Sequence, residues 1–222
     1  MKNRIIVFAN QKGGVGKSTL CLLLANYLNW KKENVCIIDT DLQQTIAGIR
    51  KDDKEFYSDT EPYAIQGFDI STPEVMQQLM NNSKQLDGYV LMDAPGNMNQ
   101  DGLIPMFTNA DYIICPFRYD KVSLSSTGDF VRALQMIRQA SPEMKGQILF
   151  IPNNINRKGN LEEKKMWKQV ADMFNMIGTV LPPIPSRAAL ERINSYDITS
   201  SQRELVKDAF EGLISITNGK EK

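Results

Sequence analysis

Ala9-Asn10-Gln11-Lys12-Gly13-Gly14-Val15-Gly16-Lys17-Ser18-Thr19 (ANQKGGVGKST, residues 9–19) decides how the rest of the chain is read. A short apolar run, Arg4–Ala9, leads into it, and a helix-like stretch, Lys17–Lys32, leads out. Strand, glycine-rich turn and helix, in that order, are what backbone N–H groups need to surround a phosphate. Gly13, Gly14 and Gly16 let the backbone turn tightly, so that N–H groups from Gly13 through Val15 to Thr19 face inward. The helix beginning at Lys17 adds its positive N-terminal end. Lys17 is placed to reach β- and γ-phosphates, the Ser18 hydroxyl to take one position on Mg²⁺, and Thr19 to meet the α-phosphate. A chance glycine-rich turn is the alternative, and the flanking strand and helix argue against it. The common pattern G-x-x-x-x-G-K-[ST] begins with a glycine where this chain has Gln11, so the loop is a variant. Lys12 is a second lysine that the pattern does not require.

Working outward, apolar β-branched runs alternate with amphipathic ones. Arg4–Ala9, Val35–Asp39, Tyr89–Asp93, Tyr112–Pro116 and Gln147–Pro152 read as strands buried on both faces, with a weaker strand at Gly178–Leu181. Tyr63–Ile70 adds an edge strand, followed by the helix start Ser71-Thr72-Pro73-Glu74. Helices are expected over Lys17–Lys32, Pro73–Leu86, Ser123–Ala140 and Leu161–Ile177. Near-continuous apolar strands joined by helical crossovers predict an α/β fold: three layers, with a mainly parallel, twisted sheet covered by helices on both faces. Gly48–Pro62, with the charge run RKDDKE, reads as a helix end and an exposed, solvated loop. Pro182–Pro185 reads as a rigid loop, and residues 1–222 as a single domain.

Composition excludes several chemistries. The 222 residues are 42% hydrophobic and 23% charged, which suits a globular domain. The 26 basic and 26 acidic residues cancel, which argues against a surface coated in base but not against a local patch. There is no histidine, so Ser-His-Asp and Cys-His nucleophiles and His-ligated metals are absent. Cys21, Cys36 and Cys115 lie in apolar runs and read as reduced, buried residues of a cytoplasmic protein. The N-terminal apolar run is too short for a signal peptide, and no stretch is long enough to span a membrane.

KGGVGKST, with a lysine ahead of the paired glycines, resembles the deviant phosphate loop of the ParA/MinD family of dimeric ATPases, a family with the P-loop NTPase fold. The resemblance covers nearly the whole chain. It implies ATP and Mg²⁺ as cofactors and a homodimer when ATP is bound. Lys12 would reach across the two-fold interface to the partner's nucleotide and offset charge as the β–γ bond breaks, much as an arginine finger does. Lys12, Lys17 and Asp41 would then be catalytic. In IIDTDLQQ, Asp39 ends the second strand and is placed to hold a Mg²⁺ water, while Asp41 resembles the family residue that orients the attacking water. The family commonly has proline after that aspartate, and here Leu42 stands there. YVLMDAPG resembles the family's second carboxylate strand, with Asp93 on another Mg²⁺ water. Gly96 replaces one of two family prolines, and Asn97–Gly102 would respond to the γ-phosphate. Within Asn153–Arg157, Asn153 is the first choice for the adenine contact and Asn154 the second. The PPIPSR loop would wall the other side of the base.

The resemblance implies a partitioning-type ATPase that moves or positions plasmid, chromosome, mobile element or other cargo. It also implies non-specific DNA binding, stimulation by a ParB-like protein and a cytoplasmic, nucleoid-associated location. The length fits members without an N-terminal DNA-reading domain. Arg187 falls where relatives carry a basic residue for DNA, and Arg192, Lys164, Lys165 and Lys168 are further candidates, each equally readable as a solvated cation. A MinD-like membrane ATPase would need a basic amphipathic tail. The closing helix has an apolar face, Leu205, Val206, Ala209, Phe210, Leu213 and Ile214, but a mixed polar face, and is expected to pack on the sheet. A metal-cluster carrier and an ATP-dependent biosynthetic ligase are the remaining alternatives. The first lacks exposed cysteines near the switches, and the second has no evident pocket for another substrate.

Overall fold

The computed structural model describes residues 3–57, 60–70, 72–97, 102–156 and 159–219. Its first half contains β1 (Arg4–Phe8), α1 (Lys17–Trp30), β2 (Val35–Asp39), α2 (Thr45–Asp53), β3 (Ala64–Gly67), α3 (Pro73–Ser83) and β4 (Tyr89–Asp93). The second contains α4 (Leu103–Asn109), β5 (Tyr112–Phe117), α5 (Lys121–Ala140), β6 (Gln147–Pro152), α6 (Leu161–Asn175), β7 (Thr179–Val180) and α7 (Ser200–Thr217), with a single 3₁₀ turn at Ala188–Leu190.

The seven strands pair in parallel in the order β3-β2-β4-β1-β5-β6-β7. This is the covered parallel sheet expected from the sequence. Because β4 inserts between β1 and β2, Asp93 lies in register with Phe8 on one side and Asp39 on the other. The loop after β1 and both strand-end carboxylates therefore meet at the carboxyl edge of the sheet, where ligands of open α/β sheets bind.

Successive strand residues alternate between two cores. In β1, Ile6 and Phe8 join the core under α1 and α7, while Ile5 and Val7 join the opposite core with Met106, Phe130 and Phe174. Both sets are apolar because both faces are covered. Helix α1 is buried almost all round from Leu20 to Leu28, which places it as an interior helix rather than a surface one. The Tyr27 ring meets Phe210 of α7 edge-on at 5.5 Å. Val206, Ala209, Phe210, Leu213 and Ile214 are buried, so the apolar face of α7 is committed to the core, as expected for a helix packed on the sheet. Caps fix the other ends. Thr72 accepts from the Val75 N–H with Pro73 in the first turn, and Asp120 accepts from Ser123. Capping boxes start α6 (Asn160, Glu163) and α7 (Thr199, Gln202).

Two readings are corrected and one helix is added. Helix α2 starts at Thr45 and ends at Asp53 inside the charge run, the expected helix end followed by exposed residues, but Arg50 is only 4% exposed and so is no part of a solvated face. Helix α4 carried no sequence signal, because seven residues with Pro105 in the first turn are too few to display a period. Cys21 and Cys115 are buried, but Cys36 is half-buried, because the face of edge strand β3 beside it is incompletely covered. All three thiols are free.

Candidate nucleotide site

The loop between β1 and α1 is built on left-handed glycines, Gly14 at φ 74° and Gly16 at φ 98°. Gly16 precedes α1, and any Cβ there would fall inside the Asn153 side-chain amide. That amide donates to the Val15 carbonyl at 2.8 Å, tying the loop to the end of β6. Asn10 anchors the loop's other end. Its buried amide donates to the Pro116 carbonyl (2.7 Å) and Thr127 Oγ1 (3.0 Å), and its oxygen accepts the Lys12 N–H at 3.1 Å. Lys17 is buried, with its amine 3.6 Å from where a Cβ on Gly96 would stand. Lys12 is half-buried, and its amine has no ion-pair partner among the described residues.

The Ser18 hydroxyl donates to Asp93 Oδ2 at 2.5 Å. Asp93 is fully buried, and its Oδ1 has no hydrogen-bond partner among the described residues. Burial pushes its carboxyl up to about 7; the Ser18 hydrogen bond and the Lys17 charge pull the other way, and the Asp39 charge adds to the rise. A buried carboxylate oxygen left unpaired is costly unless something fills its place.

Asp39 is engaged differently. Its Oδ2 accepts the Ile46 (2.8 Å) and Ala47 (3.1 Å) N–H groups at the start of α2, and its Oδ1 accepts the Asp41 N–H at 3.3 Å. Burial raises its pKa against those three bonds. Asp39 therefore holds the start of α2, with Oδ1 lightly enough used to accept a water as well. Thr40, between the two aspartates, donates to the Asp93 carbonyl through N–H (3.1 Å) and hydroxyl (2.7 Å). Asp41 closes its own turn: its Oδ1 accepts the Gln43 N–H at 3.0 Å and its carbonyl the Gln44 N–H at 2.9 Å. This Asx turn supplies stiffness at the position where a proline was expected and Leu42, 74% exposed, stands instead.

Beside the loop lies a cavity of about 300 Å³, lined by Thr19, Leu20, Asn153, Asn154, Pro185 and Arg187 among others. Asn154 sits at φ 58°, and an isolated bridge between Ile155 and Pro185 closes the wall. The size suits a nucleobase and sugar. Asn153 and Asn154 both line the cavity, and one N–H of the Asn153 amide is given to the Val15 carbonyl.

Lys12–Thr19, Asp39, Asp41, Asp93 and Asn153 thus converge on one edge. Arg187 joins them at the cavity rather than standing on a separate basic face. Arg192 and the α6 lysines Lys164, Lys165 and Lys168 are exposed on other elements. Met98–Asp101 of the expected γ-phosphate-responsive segment, and Arg157, lie outside the described residues. Asn10 and Thr40 were missed by sequence reasoning, because the Pro116, Thr127 and Asp93 groups they bond are distant in sequence.

Among the described residues no group of three or more Cys, Asp or Glu side chains forms a metal cage. Mg²⁺ fits this donor set, because it is held through one or two carboxylates, water and phosphate oxygens rather than by a protein cage. The Ser18 hydroxyl and the orphaned Asp93 Oδ1 are the groups that would face it.

A glycine-rich loop on a helix start, backed by two strand-end carboxylates, defines a nucleotide-binding α/β protein. The profile described as the CobQ/CobB/MinD/ParA nucleotide binding domain matches residues 6–199, and the chain belongs to that family. The chain is 29% identical over 115 residues to the maintenance of carboxysome distribution protein A of Gloeobacter kilaueensis, covering 51% of this chain and 48% of that protein. It is 26% identical over 163 residues to the chromosome-partitioning ATPase Soj of Thermus thermophilus, covering 62% and 64%. It therefore spans about half to just under two thirds of these relatives' lengths. The fold matches a plasmid partition protein from Borrelia burgdorferi bound to AMPPNP, with a TM-score of 0.71 at 19% identity, over 99% of this chain and 100% of the other.

Proposed function

We propose that residues 1–222 form one Mg²⁺-dependent ATPase domain of the partitioning type, converting ATP and water to ADP and phosphate. The observation that carries the reading is the buried Asp93 carboxylate, hydrogen-bonded to Ser18 through one oxygen and unpartnered at the other, beside Lys17. Mg²⁺ would supply charge neutralisation of the β- and γ-phosphates. The chain's residues do the rest. Backbone N–H groups of Gly13–Thr19 and the Lys17 amine hold the phosphates, Ser18 and Asp93 hold the metal and its water, and Asn153 or Asn154 meets adenine. Asp41, fixed by its turn, orients the attacking water. Lys12 is half-buried with no ion-pair partner among the described residues, and in an ATP-bound homodimer it reaches the other subunit's nucleotide. Hydrolysis then depends on dimerisation and rises with a ParB-like partner. Non-specific DNA, bound through Arg192 and neighbouring cations with Arg187 shared between DNA and nucleotide, is the surface along which cargo moves. No helix among the described residues is long and apolar enough to cross a membrane.

The test measures ATP hydrolysis and sedimentation of the wild type, Lys17→Ala and Lys12→Ala with ATP and Mg²⁺. Lys17→Ala is expected to lose nucleotide binding. Lys12→Ala is expected to bind ATP as a monomer and scarcely turn over. A Lys12→Ala protein that dimerises and hydrolyses normally overturns the trans-acting lysine.

A further inference from the structure

Arg50 makes more polar contacts than any catalytic candidate, yet lies outside the nucleotide site. From the last turns of α2 its Nε donates to Ser195 Oγ at 2.9 Å and its Nη2 to the Ser195 carbonyl at 2.6 Å. Nη1 donates to the Tyr63 carbonyl (2.8 Å) and to Glu61 (3.0 Å). The guanidinium lies 5.0 Å from the Tyr63 ring centre and 4.9 Å from that of Tyr196. Asp53, one turn on, accepts both the N–H (2.6 Å) and hydroxyl (2.7 Å) of Ser195. Ser195 is completely buried. A planar fork with four donors in use holds a direction, and not merely a charge.

The two ends of this arrangement are informative. The N-terminus of α2 is the pair of amides, Ile46 and Ala47, that grips Asp39, and through Asp39 the Asp41 turn. The Ser195 turn follows directly from the wall of the base cavity, which includes Leu190 and Glu191. Gln202 clamps that intervening stretch by donating to the Ala189 (2.8 Å) and Arg192 (3.0 Å) carbonyls. Asn26 of α1 donates to the Asn194 carbonyl at 2.8 Å, fixing the same turn from below. A nine-residue helix is a stiff rod of about 14 Å at 1.5 Å per residue, so a shift at its Arg50 end is carried to its Asp39 end.

We propose that Arg50 is a positioning residue: by locking α2 to the Ser195 turn, it makes occupancy of the base cavity felt at Asp41. The inference rests on the nucleotide reading above and assigns that site a link between base recognition and the hydrolytic switch. A nucleotide with the right base would tighten the cavity wall, steady α2, and hold Asp41 in place for water. Triphosphate without a fitting base would leave the switch loose.

Hydrogen exchange on the full chain tests this, with adenosine as the probe because it fills the cavity and carries no phosphate. In the wild type, saturating adenosine is expected to slow exchange in Pro185–Glu191 and, by about fivefold, in residues 39–47, which it does not touch; couplings of 5- to 150-fold are usual. In Arg50→Met and in Ser195→Ala the cavity is still protected and the effect at residues 39–47 disappears. Should Arg50→Met not fold, Ser195→Ala decides alone. Protection at 39–47 that survives in the variants, or is absent in a wild type whose cavity is protected, overturns the coupling. Loss of protection at both places in the variants makes Arg50 structural only and overturns it too. ATP with Mg²⁺ that fails to protect Gly13–Thr19 in the wild type removes the nucleotide reading itself, an outcome distinct from failure of the link.

Discussion

Replacing Asp93 by Asn separates what this residue does for nucleotide from what it does to the fold. Burial holds the Asp93 carboxyl at about 7, against about 3.9 for an ordinary aspartate. A gap of about three units corresponds to up to about 4 kcal/mol between the two protonation states. The sign follows from proton binding. The folded chain holds this proton more tightly than the unfolded chain, so the group's contribution is fully present below about pH 4 and is lost as pH rises through about 7. Between pH 5 and pH 8 the loss amounts to about 3 kcal/mol. Asparagine is neutral throughout, and its oxygen can still accept the Ser18 hydroxyl. Urea unfolding of the nucleotide-free protein in EDTA is therefore expected to show Asp93→Asn about 1 to 2 kcal/mol more stable than wild type at pH 5 and about 4 kcal/mol more stable at pH 8. Asp39 is shifted in the same direction, so the difference between the two proteins, not the slope of either, is the readout. With ATP and Mg²⁺ at pH 8 the gap should narrow, because wild type gains about 2.7 kcal/mol at a hundredfold excess over Kd and the variant does not. An Asp93→Asn protein with the wild-type pH slope, or less stable than wild type at pH 8 without nucleotide, refutes the reasoning.

Gly16→Ala puts a side chain at φ 98° and into the Asn153 amide, so about 2 to 3 kcal/mol of stability should go, together with binding of a fluorescent ATP analogue. Unchanged affinity would show that the loop is not the phosphate site. Asp41→Ala is expected to lower hydrolysis at least about a hundredfold while ATP binding persists and a nucleotide-bound dimer accumulates on gel filtration. Hydrolysis near the wild-type rate would move the water-orienting role elsewhere. Arg192→Ala should weaken ATP-dependent DNA binding and lower its log–log salt slope by about one, with nucleotide affinity unchanged. Arg187→Ala cannot serve as that test, because Arg187 lines the base cavity and its loss would alter both.

The sequence by itself determined the parallel sheet, the phosphate loop and the candidate aspartates, because each is written in neighbouring residues. A strand covered on both faces has to be apolar at every position, and a loop that wraps phosphate needs its glycines, lysine and hydroxyl within one turn. Only the tertiary structure decided what the charged and polar residues between those motifs do. Arg50 reads as part of a solvated run until its partner Ser195, 145 residues away, is brought against it. Asn10 gains its meaning from Pro116 and Thr127, and Thr40 from Asp93, through pairings that follow from β5 lying beside β1 and β4 beside β2. The same insertion of β4 buries Asp93 beside Asp39 and leaves one oxygen unfilled. A buried polar group must be paired, and its partner is chosen by the path of the whole chain rather than by its neighbours in sequence.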